Sequence, residues 1–229
     1  MTTLPSNPRY ERKFVTDRLA LSEVLALVRR HPAGFRETYP ARSVNNLYLD
    51  SPEFSDYHDH INGVAHRTKT RIRWYGAWAG RIATPTLEHK LKCGLVSGKV
   101  AHRLPPLSMN GHVSGPDLEA AFDSANLPEL ARFALHHLQP SLLNRYQRHY
   151  FQSADGRFRL TVDSGLQFAA ARQAQGMGVS FYPPAAPVVV ELKYGLAEAE
   201  YAAPVTNALP FRLARCSKYV LGINRLAAC

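Results

Sequence analysis

RTKTRIRWYG, residues 67–76, has the composition of a β-strand, yet Arg67, Lys69, Arg71 and Arg73 fall on every second position. Side chains alternate faces along a strand, so all four cations point the same way. Neighbours on that face are about 6.6 Å apart, and each adjacent pair repels by about 0.6 kcal/mol in bulk water or about 2.5 kcal/mol at an effective dielectric of 20. Three such pairs oppose folding by about 2–7.5 kcal/mol, against a typical total stability of about 5–15 kcal/mol. Such a stripe is tolerable if water bathes it or an anion normally sits on it.

The same alternation recurs along the chain. Arg9, Glu11 and Lys13 share one face of RYERKF. Glu88, Lys90 and Lys92 of TLEHKLK oppose Leu87 and Leu91. Arg157, Arg159, Thr161 and Asp163 face away from Phe158, Leu160 and Val162, and Glu191 and Lys193 oppose Val190, Leu192 and Tyr194. In LNRYQRHYF the pattern is weaker, because Arg145 and Arg148 have opposite parities. A half-exposed sheet with solvated charges explains any one such strand. A solvated sheet usually mixes signs and adds Thr, Ser and Gln, whereas these faces are mostly Arg and Lys with one glutamate in each of three strands. Repeated around a closed sheet, the pattern makes a barrel with a basic lumen and an apolar exterior covered by helices. A linear polyanion in that lumen would neutralise the repulsion, with Arg forks and Lys point charges on its phosphate oxygens. Glu11, Glu88 and Glu191 cannot bind phosphate directly. They read equally as ion-pair partners of nearby cations and as hard oxygen ligands for Mg²⁺ or Mn²⁺.

Composition is compatible with this reading. The 229 residues are ample for one core, and the formal net charge of +10 with a pI near 9.7 calls for an anionic partner. Three cysteines, Cys93, Cys216 and Cys229, suit a reducing compartment rather than a disulfide framework. The first residues lack the apolar core of a signal peptide, and no run of 18 apolar residues occurs, so the expectation is a cytoplasmic protein with no transmembrane segment.

Strands are expected at 9–14, 43–50, 67–76, 86–92, 98–104, 143–152, 157–163 and 187–194, with Asp155-Gly156 as a hairpin turn. Helices are expected at 18–31, capped by Asp17 or Ser22, over 117–138 as two pieces broken near Pro128, and over 216–227 with Ser217 near its start. Residues 171–186 read as a loop. No domain boundary is evident: one mainly antiparallel α+β domain spans 1–229, with its core at 9–223.

Seven motifs then come in an order similar to that of VTC domains, the polyphosphate polymerase domains within the triphosphate tunnel metalloenzymes. They are YERKF (10–14), RIRWYG (71–76), LEHK (87–90), NRYQRHYF (144–151), RLTVD (159–163), VVELKY (189–194) and SKYVLG (217–222). The resemblance implies a tunnel that binds ATP and polyphosphate or triphosphate with Mn²⁺ or Mg²⁺, moves the γ-phosphate of ATP onto polyphosphate and releases ADP. It implies phosphate contacts from Lys13, Arg71, Arg73, Lys90, Arg145, Arg159, Lys193, Arg215, Ser217 and Lys218. Among these Arg71, Arg73, Lys90 and Lys218 would be catalytic, and Glu191 the metal ligand, with Glu11 and Glu88 as further candidates. Ser217 and Lys218 open the last helix, where backbone N–H groups favour phosphate. Eukaryotic relatives attach an SPX domain and membrane helices; neither is read in these 229 residues, so the resemblance implies neither export of product nor inositol-phosphate sensing. The first strand carries a single Glu11-Arg12-Lys13 rather than the ExExK of hydrolytic tunnel enzymes, which leans toward polymerase.

The rival readings are a tunnel triphosphatase acting on inorganic triphosphate or nucleotides, and a non-catalytic binder of polyphosphate or nucleic acid. Nucleic acid is disfavoured because it leaves the carboxylates inside the stripes unexplained. His58, His60 and His66 match no zinc spacing, and GLVSGK (94–99) lacks Walker A spacing and reads as a turn. Of Trp74 and Tyr75 only one can share the basic stripe, where it could stack a nucleobase at a tunnel mouth.

Overall fold

The computed structural model describes residues 7–109, 115–171, 181 and 187–228. Among the described residues eleven strands and six α-helices follow one another as β1 (Arg9–Thr16), α1 (Leu21–Arg29), β2 (Arg36–Asp50), α2 (Ser55–Ile61), β3 (His66–Tyr75), β4 (Gly80–Ile82), β5 (Thr86–Cys93), β6 (Val96–Arg103), β7 (Leu107–Met109), α3 (Gly115–Ser124), α4 (Glu129–Leu135), β8 (Gln139–Gln152), β9 (Arg159–Ala170), β10 (Val188–Gly195), α5 (Ala202–Asn207), β11 (Arg212–Leu213) and α6 (Lys218–Ala227). Eight strands form a ring, β1-β10-β9-β8-β2-β3-β5-β6, that returns to β1. Every pairing in it is antiparallel. The closure between β6 and β1 is short, Arg9 against Ser97 and Tyr10 against Val96, and the farther part of β1 carries β11 instead. The ring is therefore closed but uneven.

Alternation sorts the residues as the sequence implies. Phe14, Leu160, Val162, Val190 and Leu192 face outward and are covered by Val24, Leu25 and Val28 of α1. Leu47, Ile72, Trp74, Leu87 and Leu143 face outward under Leu118 of α3 and Leu135 of α4. Trp74 is thus the outward member of its dipeptide, and Tyr75 takes the inner parity. A third apolar cluster lies on the inner face. Tyr48 is in register with both Arg71 and Leu142, and Phe168 with Asn144, so Tyr48, Leu142 and Phe168 share the face of the arginines. Tyr219 of α6 fills this patch, stacked on Tyr48 at 4.9 Å. Helix α6 therefore packs on the inner face of β8 and β9 rather than outside with α1, α3 and α4, and α2 packs beside it.

Several boundaries move. β2 begins at Arg36, well before the expected 43, because its first half is a solvent-exposed ribbon that follows β8 through irregular register on either side of Tyr39. β9 continues to Ala170 past a bulge opposite Arg145 and Gln147, where Gly165 takes φ +61. Helix α1 uses neither Asp17 nor Ser22 as cap: its N-cap is Ala20, whose N–H donates to the Glu23 carboxylate at 2.7 Å. The turn between β5 and β6 contains Gly94 with φ +56, which is the role expected for that glycine. Gly156, φ +75, closes the turn between β8 and β9 by donating to the Ser153 carbonyl at 2.9 Å. Most of the loop expected at 171–186 lies outside the described residues.

Candidate active site

Three strands of the ring supply the first cluster. Arg71 is in register with Glu88 and donates to its Oε2 through Nε at 2.9 Å and Nη2 at 2.7 Å. Lys99 takes Oε1 at 2.6 Å, and Arg73 approaches Oε2 to 3.6 Å. Burial alone would raise the Glu88 carboxyl, but Arg71, Arg73 and Lys99 hold it well below the usual carboxylate range. Arg73 also donates to Asn46 Oδ1 at 2.8 Å and to the Tyr146 hydroxyl at 3.3 Å, which fixes its fork.

A second cluster surrounds Asp163, which is fully buried. Arg148 grips it bidentately at 2.6 and 2.7 Å, and Lys218, the first residue of α6, reaches the same carboxylate at 2.6 Å. Burial opposes ionisation here too, yet Arg148 and Lys218 pull the Asp163 carboxyl down to about 2. Tyr146 lies between the clusters, and although burial pushes its phenol up, Arg148 and Arg73 bring it to about 8.

The third cluster is a checkerboard across β1 and β10, with Lys13 opposite Glu191 and Glu11 opposite Lys193. Lys90 donates to Glu11 at 2.6 Å, while Glu191 is held more loosely, 3.4 Å from Lys193 and 3.8 Å from Arg148. Burial works against the Glu191 charge, but Lys193, Lys13 and Lys90 keep its carboxyl far below the ordinary value. Thr161, in register with Glu191, has a buried hydroxyl without a hydrogen-bond partner. Lys13 is not spent on a carboxylate and donates instead to the Cys216 carbonyl at 2.7 Å.

Nearer α2 the positive charge is less compensated. Lys69 Nζ lies 2.7 Å from His60 Nδ1 and 3.3 Å from the Ser217 hydroxyl that caps α6. Burial, then Lys13, Arg67 and Lys90, press the Lys69 amine down to about 7. His60 falls to about 4 through burial, then through Lys69, Arg67, Lys13 and Arg215, and its Nδ1 faces the Lys69 amine.

The structure thus brings Lys13, Arg71, Arg73, Lys90, Lys193, Ser217 and Lys218 together with Glu11, Glu88 and Glu191. Arg159 has inner parity opposite Lys193 but is exposed. Arg215 is exposed too, close enough to Arg67 to help lower its pKa. Arg145 is misplaced by the motif reading and does not line the lumen. It is in register with Asn45, itself opposite Trp74, so it has the outward parity. There it donates to Gln167 at 2.6 Å, and its guanidinium lies 4.5 Å from the Phe181 ring. Arg148 occupies the lumen instead. The alternation Tyr146, Arg148, Tyr150 was a legible signal for it. Lys99 had none, since its face of β6 carries Ala101.

Among the described residues no three His, Cys, Asp or Glu side chains gather as a metal site. Two carboxylates still suit a hard divalent cation that takes its other ligands from phosphate and water. Glu11 and Glu191 fit that requirement: they sense each other electrostatically, and the orphaned Thr161 hydroxyl sits beside Glu191. Glu88 does not fit, because both its oxygens are already taken by cations.

The VTC domain model matches residues 8–227. No curated protein matches the chain. An X-ray structure of a proposed adenylate cyclase from Vibrio parahaemolyticus is similar over 93% of this chain and 97% of that one, at 13% identity and a TM-score of 0.51. The PH1819 protein of Pyrococcus horikoshii OT3 aligns over 95% and 98% of the two chains, at 13% identity and a TM-score of 0.48. A proposed adenylyl cyclase from Hippeastrum with a dominant triphosphatase activity aligns over 95% of each chain, at 14% identity and a TM-score of 0.48. With its family model matched almost from end to end and its strands closed around paired charges, the chain belongs to the VTC-domain family.

Proposed function

We propose that the protein is a metal-dependent phosphotransferase that moves the γ-phosphoryl group of ATP onto a polyphosphate chain. The observation that carries this reading is the excess of lumen cations over lumen carboxylates, gathered from separate strands into one enclosed ring. Arg71, Arg73, Lys90, Arg148, Lys193 and Lys218 would grip phosphate oxygens, with Lys13, Lys69 and the N-terminus of α6 beyond them. An ionised terminal oxygen of the acceptor chain attacks the γ-phosphorus. The β–γ bridge bond breaks, and ADP leaves with the electron pair. The nucleophile carries its own charge, so no Ser, Cys or His is needed, and the lumen cations stabilise charge moving toward the bridge oxygen. Glu191 and Glu11 would hold the divalent cation. When bound it neutralises phosphate oxygens during transfer.

Incubation with ATP and Mn²⁺ tests the reading. Long polyphosphate plus ADP is the expected result. Orthophosphate without polymer would make the protein a triphosphatase, with water as acceptor. Absence of turnover, with an RNA affinity that collapses in salt, would make it a binder. Glu191→Gln should weaken metal-dependent turnover, and an unchanged metal titration would remove Glu191 as ligand.

A further inference from the structure

Two lumen strands end in the same way. On β3 the inward-facing Arg71 and Arg73 are followed at the next inner position by Tyr75, and on β8 Arg148 is followed by Tyr150. Each step is about 6.6 Å along its strand. Arg42 of β2 joins the two tyrosines, with its guanidinium carbon 5.8 Å from the Tyr75 ring, 5.4 Å from Tyr150 and 5.0 Å from Tyr39. Tyr39 meets Tyr150 edge to face at 5.9 Å. Tyr39 and Tyr75 remain 55% and 51% exposed, unusual for large rings that are clustered. Among the described residues no carboxylate lies within ion-pair distance of Arg42. Phosphate gains little from phenol rings, whereas a planar base gains from ring faces and from a guanidinium plane.

We propose that Tyr39, Arg42, Tyr75 and Tyr150 form a stacking site for the base of a nucleoside triphosphate whose phosphates lie in the lumen. This rests on the reading above that phosphates occupy the ring. It adds that the nucleotide enters with its base at the β3–β2–β8 mouth, where Tyr75 lies one strand step beyond Arg73. Stacking reads no hydrogen-bonding edge, so adenine and guanine are accepted alike.

The test is calorimetric titration of the full chain, in Mg²⁺, with β,γ-imido ATP, its guanine counterpart and inorganic tripolyphosphate. Tyr75→Ala, at an exposed position, is expected to weaken nucleotide binding by about 5- to 150-fold, while tripolyphosphate binding changes by less than about twofold. Tyr75→Phe should keep wild-type affinity for all three, and the two nucleotides should bind within a few-fold of each other. Equal losses for nucleotide and tripolyphosphate, or no loss for nucleotide, would overturn the stacking site and leave the lumen reading standing. A wild-type protein that binds none of the three would overturn both.

Discussion

Glu88 shows what a single residue does in this lumen. It is the counter-charge that lets Arg71, Arg73 and Lys99 coexist without a bound polyanion. Removing one partner of a buried ion pair typically costs about 3–5 kcal/mol, because it strands the other charge. Glu88→Gln is therefore expected to lower the melting temperature of the free protein. The freed cations should then bind phosphate more tightly, so tripolyphosphate should raise the melting temperature more in the variant than in wild type. An equal ligand-induced shift would mean that these three cations do not meet phosphate. The two arginines of NRYQRHYF give a sharper contrast. Arg148→Ala removes a bidentate lumen fork and should abolish polyphosphate synthesis. Arg145→Ala removes the donor to Gln167 and the guanidinium over the Phe181 ring, both outside the lumen, and should leave synthesis within about threefold of wild type. Similar losses in both variants would contradict the observed register. Arg73→Ala and Lys218→Ala should also abolish synthesis, yet stay folded, because Glu88 keeps Arg71 and Lys99 and Asp163 keeps Arg148.

At the scale of elements, α6 carries the most consequence. It delivers Lys218 and Ser217 to the site, and its seat is tight: a Cβ at Gly222 would overlap the Leu142 and Phe168 side chains. Overpacking of this kind costs about 1–3 kcal/mol, so Gly222→Ala should destabilise the fold by that much in denaturant melts. Asp50 locks α6 to α2. Its Oδ1 accepts the Asp56 N–H at 2.9 Å, while Oδ2 accepts the Tyr57 N–H at 3.1 Å and the Tyr219 hydroxyl at 2.5 Å. Asp50→Ala should cost about 2–4 kcal/mol through unsatisfied buried donors and should speed hydrogen exchange across residues 218–227. Retained protection there would mean that packing on Tyr48 alone seats the helix. Helix α2 also shows where local reading ends. DYHDH looks like a polar loop, and the cap that makes it helical comes from Asp50, several residues upstream and on a strand. The ring strands were legible because alternation is local. The ribbon of β2 was not, since Pro40 and exposed polar residues blur the period. The inner apolar patch of β9 was equally hidden, because the bulge at Gly165 is visible only in register with β8.

For the whole molecule, the charged faces repeated on β1, β3, β5, β9 and β10 predict a basic ring, but not which cations are neutralised within it. That depends on register, which sets Arg148 against Asp163 across the β8–β9 pair, and on α6, which brings Lys218 to the same carboxylate. Lys69 has no carboxylate within ion-pair distance among the described residues, and is pushed to about 7 by burial and by Lys13, Arg67 and Lys90, with Asp56 pulling the other way. The unfolded chain holds a proton on this lysine up to its ordinary 10.5, so between about 7 and 10.5 folding releases it, and stability attributable to Lys69 rises with pH. Asp56 has the opposite sign. Burial and Asp50 raise it from 3.8 to about 7, so its contribution fades as pH climbs through 7. A phosphate chain bound in the lumen as proposed would supply the anion that Lys69 lacks and return its pKa upward. At pH 8 tripolyphosphate binding should then draw up to about one proton from buffer, and affinity should fall as pH rises further. Titrations in buffers of different ionisation enthalpy would read this as a sloped enthalpy plot, flattened in Lys69→Met. A flat plot for wild type would place the bound anion away from Lys69, confining the phosphate path to the Glu88 and Asp163 clusters.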